Sequence, residues 1–209
     1  MEIRKLTKEN KGYSLVELIV SVLVSTLVLM SVVAFISVAM NHYRRTGEEL
    51  NLQVESQIAM NLIHDIVIET QEDVVSMEID VDGQTYQVIR ILAKRTDKNL
   101  TGESIGVLYH HFIVLDNEHH RLLFSKVKET SPDPYTGIDE DVIKGNMADY
   151  IRDSMLGEDN LKRVFLADYA TGLAATTADN LVNLTLTFTC GDRTYIAEKA
   201  IYIRNYRNI

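Results

Sequence analysis

The pattern of apolar and polar positions begins with a long uncharged run. Residues 18–40 contain no charged side chain and are mostly aliphatic. A helix over this run would be roughly 35 Å long at about 1.5 Å per residue, against a bilayer hydrocarbon core of about 30 Å. We therefore predict a membrane-spanning helix over residues 13–40.

The pattern after this run changes to one that is typical of an amphipathic helix. Apolar residues recur at helical spacing, and polar residues lie between them. The spacing predicts a helix over residues 41–70 with one buried stripe and one polar face. The predicted stripe is Val54, Ile58, Ala59, Leu62, Ile63 and Ile66, and the predicted polar face is Glu48, Glu49, Glu55, Asn61 and Glu69.

From Val74 onward the apolar positions alternate with period two, which predicts strands. Asp82-Gly83 is a hairpin-turn pair. Residues 71–209 are therefore predicted to form an antiparallel β-sheet head packed on the amphipathic helix, an α+β fold. The predicted strands are 77–81, 85–92, 105–115, 122–127, 163–166, 180–189 and 194–203, while 138–156 are compatible with a short helix or an insertion.

Composition limits the possible functions. Hydrophobic residues make up 46% of the chain and charged residues 24%, which favours a folded domain over disorder. The net charge of −9 argues against direct nucleic-acid binding, which needs clustered Lys and Arg. Cys190 is the only cysteine, so no internal disulfide can form and the head must be held by packing.

One acid, Glu17, stands at the entrance to the apolar run, and it is the fifth residue after Gly12. A carboxylate at the edge of a bilayer span costs free energy and needs a reason. Basic residues are more numerous in the segment just before the run than in the segment just after it, which predicts a cytoplasmic N-terminus and an extracytoplasmic head. They are Arg4, Lys5, Lys8 and Lys11 before it, and Arg44 and Arg45 after it.

The segment Lys11-Gly12-Tyr13-Ser14-Leu15-Val16-Glu17 resembles the N-terminal signal of type IV prepilins and pseudopilins. In that family a short basic leader ends in glycine, and a glutamate is fifth in the processed chain. The resemblance implies that prepilin peptidase removes the leader, residues 1–12, between Gly12 and Tyr13 and then methylates the Tyr13 amine. The family usually has phenylalanine where this chain has Tyr13.

The resemblance implies a type IV pilin-like fold and a structural role without catalysis or cofactor. The chain would be a minor subunit of a type IV pilus or of a type II secretion pseudopilus. The order of its strands is similar to that of PilW-type minor pilins and J-type pseudopilins. Implied partners are prepilin peptidase, other pilin or pseudopilin subunits bound through the N-terminal helix, the inner-membrane assembly platform and the lipid bilayer. Glu17 would neutralise the N-terminal ammonium of a neighbouring subunit in the filament.

Three other interpretations fit parts of the pattern. A secretory signal peptide is suggested by Ser37-Val38-Ala39, although the apolar run exceeds the roughly 7–15 residues of such signals. A plain membrane anchor could tether an extracellular binding module, with Glu17 as an ordinary interfacial acid. An anchored metalloenzyme is suggested by four histidines beside one predicted turn, because imidazoles are good zinc ligands.

The histidine pairs and the acidic runs are interpreted as structural. Adjacent strand residues point to opposite faces, so His110-His111 and His119-His120 are predicted to form a polar hairpin tip, with no metal bound. The acid run at 139–141 is predicted to be a solvated face. The sequence contains no Ser/His/Asp set, glycine-rich phosphate loop or HExxH motif, which favours a protein that is not an enzyme.

Overall fold

The apolar N-terminal segment and the amphipathic segment that follows it form one helix. In the computed structural model this helix, α1, extends over Leu15–Ile68. Two compact units divide after Gly47, so α1 contributes to both. The structure describes residues 14–70, 74–98, 104–130, 133–135, 139–156 and 163–204.

The described part of the second unit contains two antiparallel sheets. The first has the strand order β1-β2-β3-β4-β5 and the second the order β6-β7-β8. Every pairing joins strands that are consecutive in the sequence, which agrees with the predicted hairpins. The strands are β1 (Val75–Val81), β2 (Gln84–Lys98), β3 (Ser104–Asp116), β4 (Arg121–Lys128), β5 (Val164–Asp168), β6 (Ala170–Ala178), β7 (Leu181–Cys190) and β8 (Arg193–Tyr202).

The region that the sequence left open is helical. Helix α2 covers Glu140–Ile151 and continues as a π-helical turn over Arg152–Leu156. Asp139 is the N-cap of α2, and its carboxylate accepts a hydrogen bond from the backbone N–H of Asp141 at 3.0 Å. The acid run at 139–141 is exposed, as predicted, and it also starts this helix.

Two apolar clusters lie on opposite faces of the first sheet. One joins the C-terminal part of α1 to the inner faces of both sheets and includes Ile63, Ile113 and Phe188. The other packs α2 and Tyr135 against residues such as Phe112. The alternation of β2, β3 and β4 supplies both clusters, because successive side chains of a strand face opposite ways.

The second sheet is attached to the first by strand β6. The backbone N–H of Leu173 donates to Gln87 Oε1 at 3.0 Å, and Thr177 Oγ1 donates to the carbonyl of Val74 at 2.9 Å. The sequence predicted only one sheet and no strand over 170–178, so the prediction of the head was incomplete. The coarser prediction, an α+β fold with a long apolar N-terminal helix and antiparallel strands, is confirmed.

The predicted buried stripe of α1 is partly wrong. Val54 and Ile58 are 52% and 53% exposed, whereas Leu52, Ser56 and Met60 are buried together with the correctly predicted Ala59, Ile63 and Ile66. Apolar residues of α1 point to most sides of this part of the helix. Their spacing alone therefore does not show which face is buried. The buried face carries the small Ser56 and Ala59, which allow the helix to approach the sheets closely.

Candidate functional site

Glu17, the acid at the entrance to the apolar run, lies in the first turn of α1. Gly12 and Tyr13 lie outside the described residues, and the description begins at Ser14. The backbone N–H of Glu17 donates to Ser14 Oγ at 3.2 Å, and the backbone N–H of Ser14 donates to Glu17 Oε2 at 3.4 Å. This reciprocal pair is a capping box.

The capping box gives Glu17 a local role that the sequence interpretation missed. The signal was present, because Ser14-Leu15-Val16-Glu17 matches the S-x-x-E pattern of a helix start. A carboxylate in the first turn is also favoured by the helix dipole. Glu17 therefore stabilises the start of α1 even without a partner chain.

The surface of α1 beyond this turn is apolar and uncovered. Every residue from Ser14 to Thr46 is exposed in the structure. The hydroxyls of Ser21 and Ser25 donate to the carbonyls four residues earlier, each at 2.7 Å, as do those of Ser31 and Ser37 at 2.9 Å. These hydroxyl groups are thus satisfied within the helix, which makes them compatible with an apolar environment.

Helix α1 is long and apolar enough to cross a membrane. This conclusion comes from the length and composition of the helix. The apolar part of α1 is also left entirely unburied by the rest of the chain. A wholly uncovered apolar helix differs from the core helix of a soluble domain, which is buried by its own chain. Helix α1 is therefore suited to anchor the chain in a membrane by a single crossing.

The four histidines near the β3–β4 hairpin do not gather at one site. His110 and His111 are buried in β3, where their rings stack on Phe112 and Phe124 respectively. His119 and His120 lie in the exposed turn. The prediction of a polar tip is correct for the second pair and wrong for the first, which belongs to the two core faces. Among the described residues, no group of three or more His, Cys, Asp or Glu side chains is placed to hold a metal ion.

His110 fastens the segment around Tyr135 to the first sheet. Its Nε2 lies 3.0 and 3.1 Å from the two carboxylate oxygens of Asp133, and its ring meets the edge of Tyr135 at 5.2 Å. Burial lowers the pKa of His110, and the guanidinium of Arg90 lowers it further, against the opposing effect of Asp133. The contact between His110 and Asp133 could not be predicted from the sequence, because the two residues are 23 positions apart.

We expect the fold to lose stability as pH falls, because of His110. Its pKa in the folded state lies below the value of about 6.5 for an unfolded chain, so the unfolded chain binds the proton more readily. The stabilising contribution is complete above about pH 6.5 and decreases as pH falls below it. Thermal unfolding followed by circular dichroism from pH 7.5 to 5 should show this decrease.

The matched variants are His110→Gln and His42→Gln. The glutamine at 110 keeps a donor for Asp133 but removes the titration, so its unfolding temperature should depend less on pH than that of the wild type. His42 is exposed on α1, and its replacement should leave the pH profile unchanged. An identical slope in the wild type and His110→Gln would contradict the assignment.

No family model matches this chain, and neither a curated protein nor a solved structure matches it. The function is therefore inferred from the residues of the chain and from their geometry.

Proposed function

We propose that the protein is a structural minor subunit of a type IV pilus or of a type II secretion-like pseudopilus. In this proposal it is processed between Gly12 and Tyr13, methylated at Tyr13, and assembled through α1. The observation that carries it is the position of Glu17. This acid lies in the first turn of α1, directly before the exposed and uncharged run 18–40, and five residues after a glycine that ends a basic segment.

Processing would create a new positive charge at the start of the chain. Cleavage after Gly12 would leave an ammonium at Tyr13, next to the apolar surface of α1. When such helices pack together, an ammonium in their interior needs a counter-charge, because an unpaired buried charge is costly. The carboxylate of Glu17 on a neighbouring subunit can supply it and define the axial offset between subunits.

The proposal also assigns partners and orientation. Prepilin peptidase would process the chain, other pilin or pseudopilin subunits would pack against α1, and an inner-membrane assembly platform would receive it. The larger number of cations just before the apolar run than just after it supports an orientation with the N-terminus in the cytoplasm and the strands outside. The role is structural rather than enzymatic.

Mass spectrometry of the N-terminal peptide from native membranes tests the proposal. The expected peptide begins at Tyr13 with an N-methylated amine. The control is the same strain without its prepilin peptidase, in which the peptide should begin before residue 13. A chain that keeps residues 1–12 in cells containing the peptidase would contradict the proposal.

An alternative is a membrane-anchored extracellular binding module. The capping box favours this alternative, because Ser14 and Glu17 already form hydrogen bonds with each other within one chain. A tether of this kind has no need of processing and would retain its leader. The same mass spectrum therefore separates the two functions.

A further inference from the structure

A cleft of about 320 Å³ lies on the first sheet, on the face that also carries α2. Strands β2 to β5 contribute to its lining, and the end of the π-helical turn borders it at Leu156. This volume is at the lower end of the range of about 300–1,000 Å³ for small-molecule sites. The cleft is lined entirely by residues of the second compact unit, and it is remote in sequence from the features used for assembly.

The lining of the cleft includes a half-exposed aromatic ring with two guanidinium groups beside it. Phe165 is 53% exposed, and the guanidinium carbons of Arg121 and Arg163 each lie 5.2 Å from its ring centroid. Leu123, also in the lining, is buried. The exposed part of the Phe165 ring offers apolar surface against which the C–H groups of a ligand can pack.

The two arginines differ in their partners. Arg121 Nε donates to the carboxylate of Asp168 at 3.2 Å, whereas Arg163 Nη1 donates to the backbone carbonyl of Met155 at 2.8 Å. Within the described ranges no carboxylate lies in ion-pair distance of Arg163. Its positive charge is therefore positioned by a neutral acceptor and is available to an anion, for which the planar guanidinium offers two parallel donors.

Hydrogen-bond acceptors line the other side of the cleft. Asp116 is occupied, because its carboxylate accepts from His119 Nδ1 at 2.8 Å and from the backbone N–H groups of Glu118 and His119. These bonds orient the His119 ring and leave its Nε2 for another partner. The carboxylate of Glu118, an exposed residue of the lining, adds an acceptor.

Three backbone irregularities meet around this cleft. The π-helical turn Arg152–Leu156 contains Met155, whose carbonyl accepts from Arg163, and the β4–β5 register shifts at Leu122/Leu123 beside Phe165. His120, between the lining residues His119 and Arg121, has a φ of 52°. Such features cost free energy and concentrate where a fold aims side chains at a ligand.

We propose that this cleft binds an acidic saccharide unit, a hydroxylated ring that bears a carboxylate. The carboxylate would pair with Arg163, the C–H face of the ring would stack on Phe165, and the hydroxyls would donate to Glu118 and His119. An anion without hydroxyls would meet Glu118 without compensation, and a neutral ring would leave Arg163 without a counter-charge. The acidic sugar ring matches both the donors and the acceptors.

Calorimetric titration of the full-length protein in detergent micelles tests this inference. The probes are a trimer of galacturonic acid and, as its neutral counterpart, a trimer of galactose. The acidic trimer should bind at one site, and the neutral trimer at least about tenfold more weakly, because it cannot form the carboxylate–guanidinium pair with Arg163.

Three variants locate the site. Phe165→Ala should abolish binding of the acidic trimer, and because the ring is exposed the unfolding temperature should stay near that of the wild type. Arg163→Gln keeps a donor for Met155 and should remove the preference for the acidic trimer. Lys126→Gln is the control, because Lys126 lies 3.8 Å over the Tyr109 ring outside the cleft, and it should bind as the wild type does.

Three results would overturn the inference. They are a wild type that binds neither trimer, equal affinity for the two trimers, and undiminished binding by Phe165→Ala. None of them bears on processing at Gly12, so this inference and the proposed assembly function stand or fail separately.

Discussion

Replacement of Glu17 by alanine should leave membrane insertion intact and remove the protein from filaments. In the proposed assembly each Glu17 neutralises a neighbouring ammonium, and an unpaired buried charge costs about 3–5 kcal/mol. The amount of the variant in sheared filaments should therefore fall by about a hundredfold or more, since about 1.4 kcal/mol corresponds to tenfold. Immunoblots of the membrane and filament fractions measure the two quantities.

Glu17→Gln separates the charge from the helix cap. Glutamine can accept the same hydrogen bond from Ser14 as a capping-box residue, but it carries no charge. If the ion pair drives assembly, both variants fail to enter filaments. Recovery of Glu17→Gln in filaments at the wild-type level would show that capping is the role of this residue and would contradict the ion pair.

Replacement of Phe188 by alanine should strongly destabilise the second compact unit. Phe188 is fully buried in the cluster that joins α1 to both sheets. Removing a buried aromatic ring deletes its packing and leaves a cavity, at a cost of about 3–5 kcal/mol. Urea unfolding of the full-length protein in detergent, followed by tyrosine circular dichroism, should show a lower midpoint for this variant.

Phe165→Ala is the matched control for this measurement. It removes the same ring from a position that is half exposed, so the free energy of unfolding should fall by less than about 1 kcal/mol. Equal loss of stability in the two variants would mean that Phe188 does not hold the sheets and the helix together as the structure indicates.

The hairpins were predictable because their signals are local. Asp82 and Gly83 have φ values of 53° and 85°, the left-handed pair that a two-residue turn requires. In β7 the alternating apolar residues Val182, Leu184 and Leu186 are all buried, as a period of two requires for the inward face of a strand. Period two and turn chemistry suffice where partner strands are neighbours in the sequence.

Strand β6 was not predictable by the same means. Its residues are mainly alanine and threonine, and Gly172 would ordinarily indicate a loop. The structure gives the glycine a reason, because a Cβ at this position would lie 3.0 Å from Cβ of Thr187 on the paired strand. The strand therefore depends on close contact with β7, which no local pattern reveals.

The candidate sites also divide into one with a local sequence signal and others that only the fold brings together. Glu17 and its capping partner are three residues apart, so the sequence contains the whole signal. The cleft brings Tyr86, Arg121 and Phe165 together from three strands, and its ring and guanidinium groups become neighbours only after the sheet has formed. His110 and Asp133 are likewise joined by the fold, since the whole of β4 lies between them in the sequence.

The uncovered surface of α1 restricts the route by which this chain can leave a bilayer. Transfer to water costs about 1.5–3 kcal/mol for each large aliphatic side chain, and α1 exposes many of these between Leu15 and Met40. The total is on the order of tens of kcal/mol, which makes a dissolved monomer negligible in population. In the proposed assembly, departure from lipid and packing against other apolar helices would therefore have to be one continuous lateral movement, without an intermediate in solution.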